Sequence, residues 1–238
     1  VVSNDRILRG RQKLDEHHEL LTQIAAKYGV QARFLVALWG VESDFGQHTG
    51  DTPAISALAT LGWRGRRGAY FRRELIELLT TVESGYTDPT RLRSSWAGAL
   101  GQCQFMPSNF KRFSVDFDGD GTRDIWTSTG DVLASMARFL SHLGWNDDET
   151  WGRPVLLPEG FDGRLAGRDT KMLLAKWNKL GIRRLNGGTL PTRDLWATLV
   201  LPDGPLGDAF LVYEDFFTLM RWNRSYHFAL SVGTLSDQ

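Results

Sequence analysis

The apolar positions of the first 145 residues recur mostly with a helical period. Over residues 5–28, Ile7, Leu14, Leu21, Ile24 and Tyr28 stand three, four or seven apart, and Gly29 supplies a stop. Residues 31–45 repeat the pattern with Phe34, Leu35, Leu38, Val41 and Phe45. Thr52 and Pro53 read as an N-cap and a proline at the first helical position, opening a helix that Gly62 ends. Residues 67–83 align Phe71, Leu75, Leu78, Leu79 and Val82, and residues 131–143 align Val132, Met136, Phe139, Leu140 and Leu143. After Trp145 the pattern changes to a polar turn at 146–149 and a stretch punctuated by prolines 154, 158, 191, 202 and 205. A helix at 170–180 and strand-like runs at 197–201 and 209–213 predict a smaller mixed lobe, and helical spacing resumes over 215–235. The expected fold is mainly α (α+β): a helical core at 1–145, a mixed lobe at 146–214, and a C-terminal helix at 215–238 that returns to the core.

One position interrupts the apolar arc. On a wheel of about 100° per residue, Glu42 falls between Leu35 and Leu38, inside the arc of the 31–45 helix. Burial disfavours a charged carboxylate, so unless a cation neutralises it Glu42 should have the raised pKa that a general acid needs. A buried Glu paired to an Arg is the other reading, and periodicity does not choose between them. Asp44 points about 200° away, which excludes it as a second carboxylate at the same spot.

Composition narrows the function classes. The 28 Lys and Arg balance the 28 Asp and Glu, so no global field gathers nucleic acid. Nine Trp, thirteen Phe and five Tyr supply flat faces suited to sugar rings, although a core of this size uses most of them. Cys103 is the sole cysteine, which excludes an intramolecular disulfide. The five histidines lack zinc spacing. No apolar run reaches 18 residues, so no transmembrane segment is expected in this chain. Asp116, Asp118 and Asp120, followed by Gly121 and the Thr122 carbonyl, reproduce the first half of an EF-hand loop, a set of hard oxygens that selects calcium. Thr127 stands where such a loop has its closing Glu.

The blocks at 41–46 (VESDFG), 57–61 (ALATL), 97–108 (AGALGQCQFMPS) and 221–225 (RWNRS), in this order, resemble the membrane-bound lytic transglycosylase B family, glycoside hydrolase family 103. The resemblance implies a lysozyme-like core. It also implies cleavage of the β-1,4 bond between N-acetylmuramic acid and N-acetylglucosamine of peptidoglycan, with closure to a 1,6-anhydro product. Glu42 would be the single catalytic acid and base. Ser95 and Gln104 would lie beside it and orient it or the substrate acetamido group. Tyr70 and Asn223 match cleft positions, while Phe139, Trp222 and Phe228 stand where some members have tyrosine, keeping a stacking face without the phenolic hydrogen bond. Asp131 would close a lengthened calcium loop formed with Asp116, Asp118, Asp120 and Thr122, as a structural metal site with no organic cofactor. The implied setting is a monomer acting on glycan strands in the periplasm of a Gram-negative bacterium, outer-membrane-anchored in longer members. A water-using muramidase and a non-catalytic peptidoglycan-binding scaffold are the competing expectations.

Overall fold

The helical spacing of residues 5–28 resolves into two helices, α1 (Asn4–Glu16) and α2 (His18–Tyr28), in a computed structural model that describes residues 2–64, 66–85, 87, 90 and 92–238. Ser3 caps α1 by accepting the Arg6 N–H at 3.2 Å. The break falls at His17, whose ring lies 5.9 Å from Trp39. With the chain bent there, α1 packs on α3 (Ala32–Ser43), while α2 packs on α3 and α7 (Thr129–His142). Helix α3 is buried all round from Phe34 to Gly40, the signature of a helix enclosed by others.

Two local expectations give way to tertiary contacts. Thr52 does not cap a helix: β1 (Thr52–Pro53) pairs antiparallel with β2 (Arg93–Ser94), and α4 (Ala54–Arg64) begins one residue later with the Ala54 N–H on Leu92 O at 3.0 Å. Gly62 does not stop α4 but lies within it. A Cβ there would meet Arg72 Cγ at 3.1 Å, and Arg72 Nη1 donates to Gly62 O at 2.6 Å, so the glycine permits the close approach of α5 (Gly68–Glu83). Helix α6 (Pro107–Phe113) is too short to show a period in sequence. Its first turn is capped from α5 by buried Glu74, which accepts the Ser108 N–H and hydroxyl, both at 2.9 Å.

The chain divides into two compact units, residues 1–142 with 234–238, and residues 143–233. The second unit is built on a five-stranded antiparallel sheet of β3 (Gly152–Leu156), β4 (Lys171–Leu173), β5 (Arg183–Arg184), β6 (Trp196–Val200) and β7 (Ala209–Val212), in the order β4-β6-β7-β3-β5. The helix expected at 170–180 is strand β4 followed by α8 (Leu174–Lys179), because residues 171–173 pair with β6. Strand β3 carries Pro154, a residue that argues against a strand in sequence; β5 pairs only with Val155 and Leu156, so Pro154 loses no partner on that side. Trp177 anchors the core among Leu174, Ile182, Leu199, Leu211 and Tyr213, its indole N–H on Ala197 O at 3.0 Å. The helical segment after 214 is split into α9 (Glu214–Trp222) and α10 (Tyr226–Ser236).

Asp215, in the first turn of α9, is 0% exposed. Its Oδ1 accepts the Asn146 N–H at 2.9 Å, and among the described residues Oδ2 meets no hydrogen-bond donor. Burial pushes this carboxyl up to about 7, against the Asn146 N–H and with the charges of Glu149, Glu214 and Asp147. Between its unfolded value and about 7 the folded carboxyl keeps its proton while the unfolded one loses it, so its contribution to stability falls as pH rises through that window. Asp215→Asn keeps the acceptor and removes the titration. The melting temperature of the variant relative to the parent should therefore climb from pH 4.5 to pH 8, within a ceiling of about 4 kcal/mol. Parallel melting profiles across pH would show that the carboxyl is ionised in the folded protein throughout.

Candidate active site

The last turn of α3 carries two acids with opposite environments. Glu42 is half-buried, one residue before the helix ends, and not enclosed as the helical wheel implies. Asp44 is the buried one. It leaves the helix in the left-handed conformation (φ 54°) and accepts from Arg9 at 2.8 and 2.9 Å and from Arg6 at 3.0 Å. The hydrogen bond from Arg9, with Arg6 adding to it against burial, holds its carboxyl below the usual range. Asp44 is thus committed to fastening α1, and Glu42 is the more exposed carboxylate of this turn.

The segment 94–105 passes beside this helix end. Cys103 is fully buried with its thiol on Val132 O at 3.4 Å; burial raises its pKa most, then the charge of Glu42 and that of Asp131. This charge effect places Glu42 within electrostatic reach of Cys103. Gln104 has φ 50°, a left-handed position strained for a non-glycine residue, and both its amide protons are engaged, on Gly101 O at 2.9 Å and Thr49 O at 3.2 Å. Its Oε1 is the end left to accept from a ligand. Ser95 caps no helix; its Oγ accepts the Ala99 N–H at 3.2 Å and closes the turn 95–99, leaving the hydroxyl proton to donate. That turn exposes Trp96 (75%), an aromatic face next to Ser95 that periodicity could not single out. A cavity of about 1080 Å³ opens alongside, with Thr49, Asp51, Arg93, Arg123 and Trp126 on its wall. Glu42 is not on that wall, which Gln104 reaches through Thr49.

The other expected ligand-binding positions are spread out. Tyr70 is half-buried under the Arg67 guanidinium (4.4 Å), and burial, then Glu74, raise its hydroxyl, which is hydrogen-bonded to Glu74. It therefore joins the same carboxylate that caps α6. Phe139 is 6% exposed, stacked on Phe113 at 4.5 Å and edge-on to Phe105 at 5.6 Å, so its ring faces serve the core. Trp222, Asn223 and Phe228 belong to the second unit, at the junction of α9 and α10, with Asn223 exposed and both rings half-buried.

The acidic loop brings one oxygen each of Asp116, Asp118 and Asp120 within 4.8 Å of one another. Asp116 accepts the Gly119 and Gly121 N–H groups at 2.7 and 2.9 Å, and Asp120 accepts the Thr122 N–H and hydroxyl at 2.7 and 2.6 Å. Asp131 is outside this group. Fully buried, it accepts the Phe117 N–H and the Asp124 N–H, both at 2.7 Å, and so pins both ends of the loop. Its carboxyl is raised by burial, opposed by those two N–H groups, with the Asp118 and Asp116 charges adding to the rise. Asp124 closes the turn before α7 by accepting from the Trp126 and Thr127 N–H groups.

Comparison with known proteins gives this geometry a family. The chain is 30% identical over 249 residues to the membrane-bound lytic murein transglycosylase B of Escherichia coli (strain K12), covering 99% of this chain and 64% of that protein. Its fold matches SltB3 from Pseudomonas aeruginosa in complex with NAG-anhNAM-pentapeptide at a TM-score of 0.95 and 41% identity, over 99% of this chain and 63% of that one. It matches Escherichia coli Slt35 in complex with calcium at a TM-score of 0.84 and 29% identity, over 99% and 74% of the two chains. The architecture is thus the lysozyme-like one, helical with a smaller sheet lobe. The chain spans just under two thirds of the first two relatives, yet the family model described as the transglycosylase SLT domain matches residues 1–237, and the chain belongs to that family.

Proposed function

We propose that this chain is a lytic transglycosylase that cleaves the β-1,4 bond between N-acetylmuramic acid and N-acetylglucosamine in peptidoglycan, with Glu42 as its only general acid and base. The observation that carries the reading is the difference in burial within one turn: Asp44 is buried and fastened to Arg6 and Arg9, and Glu42 is half-exposed at the end of α3. Retaining and inverting glycosidases use two carboxylates flanking the bond. Here one carboxylate must give its proton to the departing oxygen and then, as the anion, take the proton of the C6 hydroxyl that closes the ring. Ser95, with a hydroxyl proton to donate, and Gln104, with Oε1 to accept, would orient Glu42 and the acetamido group, and Trp96 would offer a face to a sugar ring. Among the other expected contacts, Tyr70 is half-buried and Phe139 packs in the core of the first unit, while Trp222, Asn223 and Phe228 of the second unit are half-buried or exposed.

Mass spectrometry of digested sacculi tests the reading. Ring closure releases a muropeptide lighter by one water than the product of hydrolysis. A fully hydrated product would make the chain a muramidase, and intact sacculi would make it a binding module.

We further infer that the acidic loop binds calcium as a structural ion. Three carboxylates converge there, and Asp116 and Asp118 already raise the pKa of Asp131, a mutual repulsion that a divalent cation relieves. Asp116, Asp118, Asp120 and the Thr122 carbonyl would hold it, with Asp131 fixing the loop ends. The periplasm is the compartment that fits such a substrate, and no helix among the described residues is long and apolar enough to cross a membrane.

A further inference from the structure

We propose that Gln102 is a positioning residue for Glu42, clamping the end of α3 to the segment 125–126 that follows the acidic loop. The inference rests on the transglycosylase reading. Gln102 is 8% exposed, and its side-chain amide spans α3 and residues 125–126, the latter engaged also by its backbone N–H. Its Oε1 accepts the Trp39 indole N–H at 2.7 Å, its Nε2 donates to Trp126 O at 2.7 Å, and its backbone N–H donates to Ile125 O at 2.8 Å. Trp39 stands three residues before Glu42, on the neighbouring turn of the same helix face. The amide also lies against Gly46, where the chain leaves α3: a Cβ there would fall 2.4 Å from Oε1, and φ is 86°. Gly101 is held just as closely, since a Cβ would meet Ile125 O at 2.5 Å.

The same strands carry the groups that would surround the substrate. Trp126 donates its indole N–H to Arg93 O at 2.9 Å, next to Ser94 and Ser95, and Gln104 follows Gln102 by two residues. One buried amide thus ties the helix that carries Glu42 to the walls that carry Ser95 and Gln104. A buried amide with both ends used holds its partners in one arrangement, because each released donor or acceptor would be left without water or protein. Glu42 must meet a glycosidic oxygen and then a C6 hydroxyl, and misplacement by about 1 Å costs such a step on the order of 10²-fold.

The test compares Gln102→Leu, which nearly keeps the volume and loses both side-chain hydrogen bonds, with Trp39→Phe, which removes the indole donor together with part of a buried ring. Ser135→Ala is the control: the buried hydroxyl of Ser135, on α7, accepts the Val115 N–H, and its loss reads stability alone. Gln102→Leu is expected to lower kcat on sacculi at least ~10-fold with KM within about threefold. It should also move the Glu42 side-chain carbon-13 titration midpoint by about half a pH unit or more. Trp39→Phe should move both in the same direction, and the double variant should fall short of the sum. If kcat and the titration midpoint follow the Ser135→Ala control once matched for melting temperature, Gln102 only stabilises the fold. If Gln102→Leu does not fold, Trp39→Phe decides alone. A parent chain that leaves sacculi uncut overturns the transglycosylase reading, and the titration still decides whether Gln102 sets the surroundings of Glu42.

Discussion

Glu42→Gln is expected to slow cleavage of purified sacculi by about 10²- to 10⁴-fold, the range that general acid–base groups supply. The melting temperature should shift by a few degrees at most, and glycan binding should persist. The amide keeps the shape of the carboxyl but can neither give a proton to the leaving oxygen nor take one from the C6 hydroxyl. Turnover on sacculi, a thermal melt and a sedimentation assay with cell walls separate the three quantities. Retention of most activity in the variant would move the chemistry to another residue.

Added calcium is expected to raise the melting temperature. A ligand that binds the folded chain alone stabilises it by about 2.7 kcal/mol at one hundred times its dissociation constant, worth several degrees for a chain of this size. Thr127 replaces the bidentate Glu that closes an EF-hand loop, so the affinity should lie near the weak end, roughly 10⁻⁴ to 10⁻³ M. Magnesium should do less, because it sheds its water reluctantly and demands a tighter octahedron. Changing Asp118 and Asp120 together to Asn should abolish most of the calcium shift. It should also relieve the charge that weighs on Asp131, partly offset by lost acceptance from the Ser128 hydroxyl and from Thr122. A melting curve unmoved by millimolar calcium, or moved equally in the double variant, would make the loop an acidic turn held by its own N–H groups.

Among the helices longer than about ten residues, α3, α5 and α7 lie close to where spacing puts them. Strands β6 and β7 were legible as apolar runs bounded by turn residues. The elements that escaped are short and held by partners far along the chain. Strand β1 exists because β2 lies forty residues on, α6 is capped from α5, and β3 tolerates Pro154 because β5 stops short of it. The break at His17 is likewise invisible in a pattern that reads as one helix, since Trp39 and the packing of α1 on α3 determine it.

The candidate site divides in the same way. By itself the sequence determined that a carboxylate interrupts an apolar helix at 42, that acids alternate at 116, 118 and 120, and that the blocks of one family follow in order. These are properties of neighbours along the chain, and side-chain period expresses them directly. Only the tertiary structure decided that Asp44, at the end of α3, is buried and paired, because Arg6 and Arg9 come from another helix. It also decided that Asp131 spends both oxygens on the ends of its loop, that Phe139 turns inward, and that Gln102 joins three segments. Charge pairing and burial depend on which distant segments arrive, and no pattern of spacing encodes the arrival.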